Sequence, residues 1–142
     1  MTQREIDSLN PEQCIELLTQ QVVGRVIFVD EQGPGAVPVN YAVAGNEIIL
    51  RVAEDSHLRA LIGNPIGFES DYTNADQSEG WSVLVRGSGR EIPMTEVPQI
   101  LKTLGDRLSR PWAEGVHNTW LGIKADTLTG RRLSGAIHAR LF

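Results

Sequence analysis

Arg51, Ser56 and His57 cluster where an apolar run gives way to a short helical one, in the segment ILRVAEDSHLRALIGNP at residues 48–64. A guanidinium, a hydroxyl and an imidazole are groups that hold anions. A helix start adds unpaired backbone N–H groups and partial positive charge. An anionic ligand suits that combination. The same residues also read as plain architecture, with Asp55 or Ser56 capping a helix over 58–62. Both readings stand at this level.

Other chemistry is thinly represented. The histidines are His57, His117 and His138, and no pair has a metal-ligand spacing. There is no nucleophile elbow, no Walker loop and no dinucleotide glycine fingerprint. RGSGR at 86–90 carries two glycines and lies inside a predicted strand, so it is not a phosphate loop. Acidic pairs such as Glu54-Asp55 fall in predicted turns and read as solvated charges. The lone cysteine, Cys14, sits on the apolar face of a predicted helix and reads as a packed thiol. No side-chain set specifies acid–base or nucleophilic catalysis, so any chemistry is expected to come from a bound cofactor.

The elements that must position these residues follow from periodicity. Asn10-Pro11-Glu12 is a helix start, and Cys14, Leu17, Leu18 and Val22 share one face, predicting a helix over 11–21. Residues 22–29 are β-branched and aromatic, and 31–35 form a turn. In AVPVNYAVA, Val37, Val39, Tyr41 and Val43 face one side and Ala36, Pro38, Asn40, Ala42 and Ala44 the other. Pro38 cannot donate to a ladder, so this stretch belongs at an edge or bulge. Gly45-Asn46 turns into a strand over 47–52. Further strands are expected over 65–72, 80–92, 119–125 and 128–133. A polar loop is expected over 73–79, a helix over 95–104 and irregular chain over 105–118. Tight turns imply a largely antiparallel sheet. The fold expected is mainly β: a closed or nearly closed barrel with peripheral helices.

The chain has 142 residues and a net charge of −5, with Arg131-Arg132 its one conspicuous basic pair. One domain over 1–142 is expected, with a barrel core over about 22–133 and a tail over 134–142. Clustered cations for a general nucleic-acid binder are missing. The N-terminus, MTQREIDSLNPEQ, lacks an apolar signal core, and no run approaches the ~20 apolar residues of a membrane span. A cytoplasmic protein is expected.

The order LNPEQCIELL, GRV, PVNY, Arg51, Ser56-His57, GWSVLVRG and TGRRL resembles the pyridoxamine 5′-phosphate oxidase-like split-barrel flavin proteins, in their small bacterial branch, over residues 8–133. The resemblance implies a six-stranded split barrel, a homodimer and FMN at the subunit interface. It implies that Pro38, Val39, Asn40 and Tyr41 run along the flavin ring, largely through backbone. It places Arg51, Val52, Ser56 and His57 around the phosphate, Trp81, Ser82 and Val83 beside the ring, and Arg131 and Arg132 near the cofactor or partner subunit. Relatives commonly carry threonine at the Val52 position and lysine at His57. Each lost charge-assisted bond costs about 1.5–3 kcal/mol, which implies a looser hold on FMN. An oxidoreductase of unknown substrate is the function implied. Alternatives are a non-catalytic flavin or deazaflavin module, a haem binder using His138, and a barrel that has lost its cofactor.

Overall fold

The computed structural model describes residues 5–53, 56–105 and 119–134. Seven strands follow one another: β1 (Glu5–Leu9), β2 (Val23–Asp30), β3 (Gly33–Ala44), β4 (Glu47–Val52), β5 (Pro65–Asn74), β6 (Glu79–Glu91) and β7 (Thr119–Ser134). Helix α1 spans Pro11–Leu18, α2 spans Val97–Leu104, and a 3-10 helix spans His57–Leu61. All strand pairings between these elements are antiparallel, in the order β1-β7-β4-β3-β2-β5-β6, and β6 also pairs with β7. That last pairing closes β2 to β7 into a six-stranded ring. β1 is a seventh strand added beside the second half of β7.

The interior is built by alternation. Val26, Phe28, Val39, Tyr41, Ile48, Leu50, Val52, Phe68, Trp81, Val83, Val85, Leu121 and Ile123 form one buried cluster. Cys14, Leu17 and Leu18 of α1 join it, as do Leu58 and Leu61 of the 3-10 helix. The Tyr41 hydroxyl donates to the Leu18 carbonyl at 2.5 Å and lies 3.2 Å from Ser70 Oγ. Ser70 in turn donates to the Val23 carbonyl at 3.1 Å. Tyr41→Phe strips a partner from two buried groups and is expected to cost about 1–3 kcal/mol, read as a lowered urea midpoint with unchanged slope. On the outer face, α2 lays Val97 and Ile100 over Ala42, Ile49 and Trp120. Arg90 anchors this layer, bonding Glu47 at 2.7 and 3.0 Å and Glu96 at 2.9 Å. The pairing with Glu47 first, then Glu96, holds the Arg90 proton more tightly than usual.

Several boundaries differ from the sequence reading. α1 ends at Leu18 rather than 21, after a capping box in which Asn10 and Gln13 exchange 2.9 Å bonds. Val22, placed on its apolar face by spacing, lies past the helix end and is exposed. The predicted loop over 73–79 shrinks to a turn, because β5 runs to Asn74 and β6 begins at Glu79. The two short strands predicted over 119–133 are one strand. A register shift between Arg86 and Gly87, paired with Thr127 and Ala125, leaves Asp126 as an extra residue, and that β-bulge is what interrupted the alternation. α2 begins at Val97 rather than 95, and Leu101 is exposed instead of sharing its buried face. Cys14 is fully buried, and burial pushes its thiol pKa up, as a packed thiol requires.

Candidate functional site: the open edge of β3

β3 changes partner halfway. Gly33 to Asn40 pair with β2 alone, while Tyr41 to Ala44 pair with β4. The first half therefore has an open edge among the described residues, which is the split of the barrel. Tyr41 N–H bonds the Val22 carbonyl at 3.0 Å. Antiparallel alternation then turns residues 39, 37 and 35 toward β2, and residues 34, 36, 38 and 40 toward the open edge. Pro34 and Pro38 both fall on edge positions, where a missing N–H breaks no ladder bond. The edge placement expected from Pro38 is what the strand adopts.

Asn40 sits where β3 leaves β4. Its Oδ1 is shielded from solvent and has no hydrogen-bond partner among the described residues. A buried acceptor without a donor costs about 1–3 kcal/mol. One residue beyond the last β3–β4 pair, Tyr41 with Leu50, the register sets Asn40 opposite Arg51. Arg51 lies directly across from Trp120 in the β4–β7 ladder, its guanidinium 5.5 Å from the indole centroid. The outer face of the sheet thus carries Asn40, Arg51 and Trp120 in one row.

The remaining candidates divide. Pro38 and Asn40 face outward at the open edge. Val39, Tyr41, Val52, Trp81 and Val83 turn into the barrel core, so any ligand on this face meets them only through backbone. For Val52 this explains the valine: its side chain fills the core. Ser82 faces outward, between Asp71 and Arg131 in the ladders. Arg132 is exposed, opposite Trp81 and Asp7. Ser56 caps the 3-10 helix by accepting from Leu58 N–H at 3.2 Å, so the capping reading of that stretch holds. His57 turns toward the β2–β3 hairpin, with Nε2 3.4 Å from Asp30 Oδ2 and its ring edge-on to Phe28 at 5.1 Å. Glu54, Asp55, Trp112, His117, His138 and most of the 105–118 and 134–142 stretches lie outside the described residues. Among the described residues, no cluster of potential metal ligands occurs and no helix is long and apolar enough to cross a membrane.

One cluster escaped the sequence reading. Arg25, opposite Pro38, reaches Glu69 at 2.5 Å and Asp71 at 3.2 Å on β5. Burial, then the hydrogen bond with Asp71, pushes the Glu69 carboxyl pKa up against the pull of Arg25. The GRV run was the one signal for it, since the nearer partner, Glu69, lies 44 residues away.

The ring of strands, the split along β3 and the peripheral helices define a split barrel. Residues 10–132 match the model of the pyridoxamine 5′-phosphate oxidase family, and the chain belongs to that family. It is 27% identical over 136 residues to the uncharacterized protein Rv0080 of Mycobacterium tuberculosis, covering 92% of this chain and 87% of that one. An FAD binding protein of Mycobacterium smegmatis superposes with a TM-score of 0.68 at 26% identity, over 90% of this chain and 98% of that one. An FAD-binding protein of Mesorhizobium loti shares the fold, with a TM-score of 0.70 at 19% identity over 93% and 99% of the two chains.

Proposed function

We propose that this protein binds a flavin along the open edge of β3 and serves as a flavin-dependent oxidoreductase, working as a homodimer. The observation that carries the reading is the buried, unpaired Asn40 Oδ1 at the split. An isoalloxazine ring carries one ring N–H and several acceptor atoms. The edge supplies backbone N–H at Ala36, backbone carbonyls at Pro34, Ala36 and Pro38, and the Asn40 acceptor. The small outer groups of Ala36 and Pro38 leave room for a flat ring. A bound flavin supplies hydride or electron transfer, and the chain's part is to bind, orient and keep the ring partly dry. Arg51 is the cation nearest the split on β4 and is assigned to the phosphate of the FMN moiety, the part that the resemblance implies. His57 joins it only by leaving Asp30.

A second copy is the partner this face suits. Ile27 and Val29 on β2 are exposed beside Pro34, Ala36 and Pro38, giving an apolar strip next to an unpaired edge. A carrier that holds flavin without turnover is the second reading, favoured by the lack of a substrate-polarising group at the split among the described residues. Turnover of a reduced nicotinamide or deazaflavin donor would count against it.

The test is a visible spectrum of purified protein before and after incubation with FMN and desalting. Retained flavin bands near one per subunit are expected. Arg51→Ala should weaken flavin binding about tenfold, the cost of one charge-assisted bond. Equal retention by that variant would remove Arg51 from the phosphate. A colourless protein that keeps no flavin would sink the reading and leave haem or a cofactor-free role.

A further inference from the structure

Glu69 and Asp71 stand two residues apart on the outer face of β5 and reach for the same cation, Arg25 of β2. Arg25 Nε and Nη2 both donate to Glu69 Oε1, at 2.9 and 2.5 Å, and Nη2 lies 3.2 Å from Asp71 Oδ2. One carboxylate balances one guanidinium, so the second is surplus. Like charges this close ionise together only at a cost, and the half-burial of Glu69 adds to it. Two carboxyls so placed titrate as a pair that holds a proton longer than either would alone. Burial first, then the hydrogen bond with Asp71, moves the Glu69 carboxyl up in just this way. On β6, Leu84 stands opposite Glu69 and Ser82 opposite Asp71, with exposed Arg86 on the diagonal, opposite Gly67. On β7, Arg131 stands across from Ser82.

The pair belongs to the neighbourhood of the split. Arg25 is the register partner of Pro38 on one side and of Glu69 on the other, so Pro38, Arg25 and Glu69 share one rung of the sheet. Strands are spaced about 4.8 Å apart, which puts Glu69 about 10 Å from the open edge. Resting on the flavin reading, we propose that Glu69 and Asp71 form a shared-proton site that takes up a proton when a flavin at the split is reduced. Electron gain brings negative charge to the edge. A unit charge about 10 Å away, at an effective dielectric of about 20, changes a protonation constant about tenfold, or about one pH unit. The proton comes from solvent, an O–H bond forms on a carboxylate oxygen, and the electrons come from an external donor. The sign follows from the charge. Reduction raises the pair's already raised value further, so the uptake falls between the oxidised-state and reduced-state values. Below the first the site is already protonated, and above the second it stays ionised. Within that window the ring's hold on electrons weakens as pH rises.

Redox-difference infrared spectra of the full chain, loaded with FMN and reduced with dithionite at a series of pH values, test this. Reduction is expected to add a protonated-carboxyl C=O band within a window about one pH unit wide. Glu69→Gln should abolish the band. Asp71→Asn, at an exposed position that leaves the core intact, should move the window toward acid pH, because it removes the like charge beside Glu69. It also carries the test alone if Glu69→Gln does not fold. A purely structural ion-pair cluster would show no band, since its protonation would not follow the state of the ring. An FMN-loaded parent without the band at any pH would overturn the assignment and leave the flavin reading standing. So would a band that survives Glu69→Gln, or one that Asp71→Asn leaves in place. A protein that binds no FMN would overturn both.

Discussion

Phe68→Ala is expected to remove about 3–5 kcal/mol of stability, a large share of the ~5–15 kcal/mol that holds a domain folded. The ring is wholly buried in the barrel and meets Tyr41 edge-on, with centroids 4.7 Å apart. It occupies a space shaped for it. A Cβ at Gly24, on the neighbouring strand, would fall on the Phe68 ring and against the Glu69 carbonyl. The wall facing the ring is therefore backbone, paired with Val39 of β3 at Gly24 and with β5 from the next residue, Arg25, to Ile27. Backbone locked on both sides collapses poorly into a void, which places this site toward the costly end of large-to-small substitutions. Tyr41 would also lose the partner that steadies its hydroxyl bond to α1. Urea unfolding followed by tryptophan fluorescence measures the loss. A change below about 1 kcal/mol would mean that the barrel closes over the gap, contrary to the wedge that Gly24 and Phe68 form.

The same residues show what the sequence could and could not convey. Alternation over 36–44 announced which side of β3 is core, and Pro38 announced an edge, because both are local consequences of strand geometry. The turn at Gly45-Asn46 fixed the second hairpin, whereas the turn read over 31–35 narrows to Glu31-Gln32, because β3 already pairs with β2 from Gly33. β1 was silent: Glu5–Leu9 contributes backbone pairing to β7 rather than a clear apolar face, and periodicity registers faces. β7 looked like two strands because one bulged residue breaks a period of two. At the site, Arg51 was visible as an oddity in an apolar run. Its stack on Trp120, 69 positions along the chain, was not. Trp81 and Val83 were assigned to the ring by resemblance, yet their strand parity points them inward, which only the register with β5 and β7 reveals. The cleft of about 430 Å³ beside Trp120 draws its walls from three separate segments, Arg59, Glu91 to Met94 and Thr119-Trp120, and no window of sequence contains it.

Asn40→Leu is expected to move two quantities in opposite directions. Without flavin the variant should be more stable than the parent by about 1–2 kcal/mol, because a buried acceptor with no donor is replaced by an apolar group of similar size. With flavin it should bind about tenfold more weakly, because the side-chain acceptor proposed for the ring N–H is gone. A residue kept for stability would lose both together. The two effects meet in a single measurement. Flavin at about a hundred times the parent's dissociation constant stabilises the parent by about 2.7 kcal/mol, but a tenfold weaker variant by about 1.4. The variant's lead in unfolding free energy should therefore shrink by about 1.3 kcal/mol as flavin is added. Unfolding curves at rising flavin concentration read this directly. A leucine variant that is less stable when flavin-free, and that gains as much from flavin as the parent does, would show that Asn40 is already satisfied within the fold. The open edge of β3 would then lose its strongest claim to the cofactor. A stable variant that no longer responds to flavin would tie the orphaned oxygen to the ring more closely than any loss of colour, since misfolding cannot raise stability.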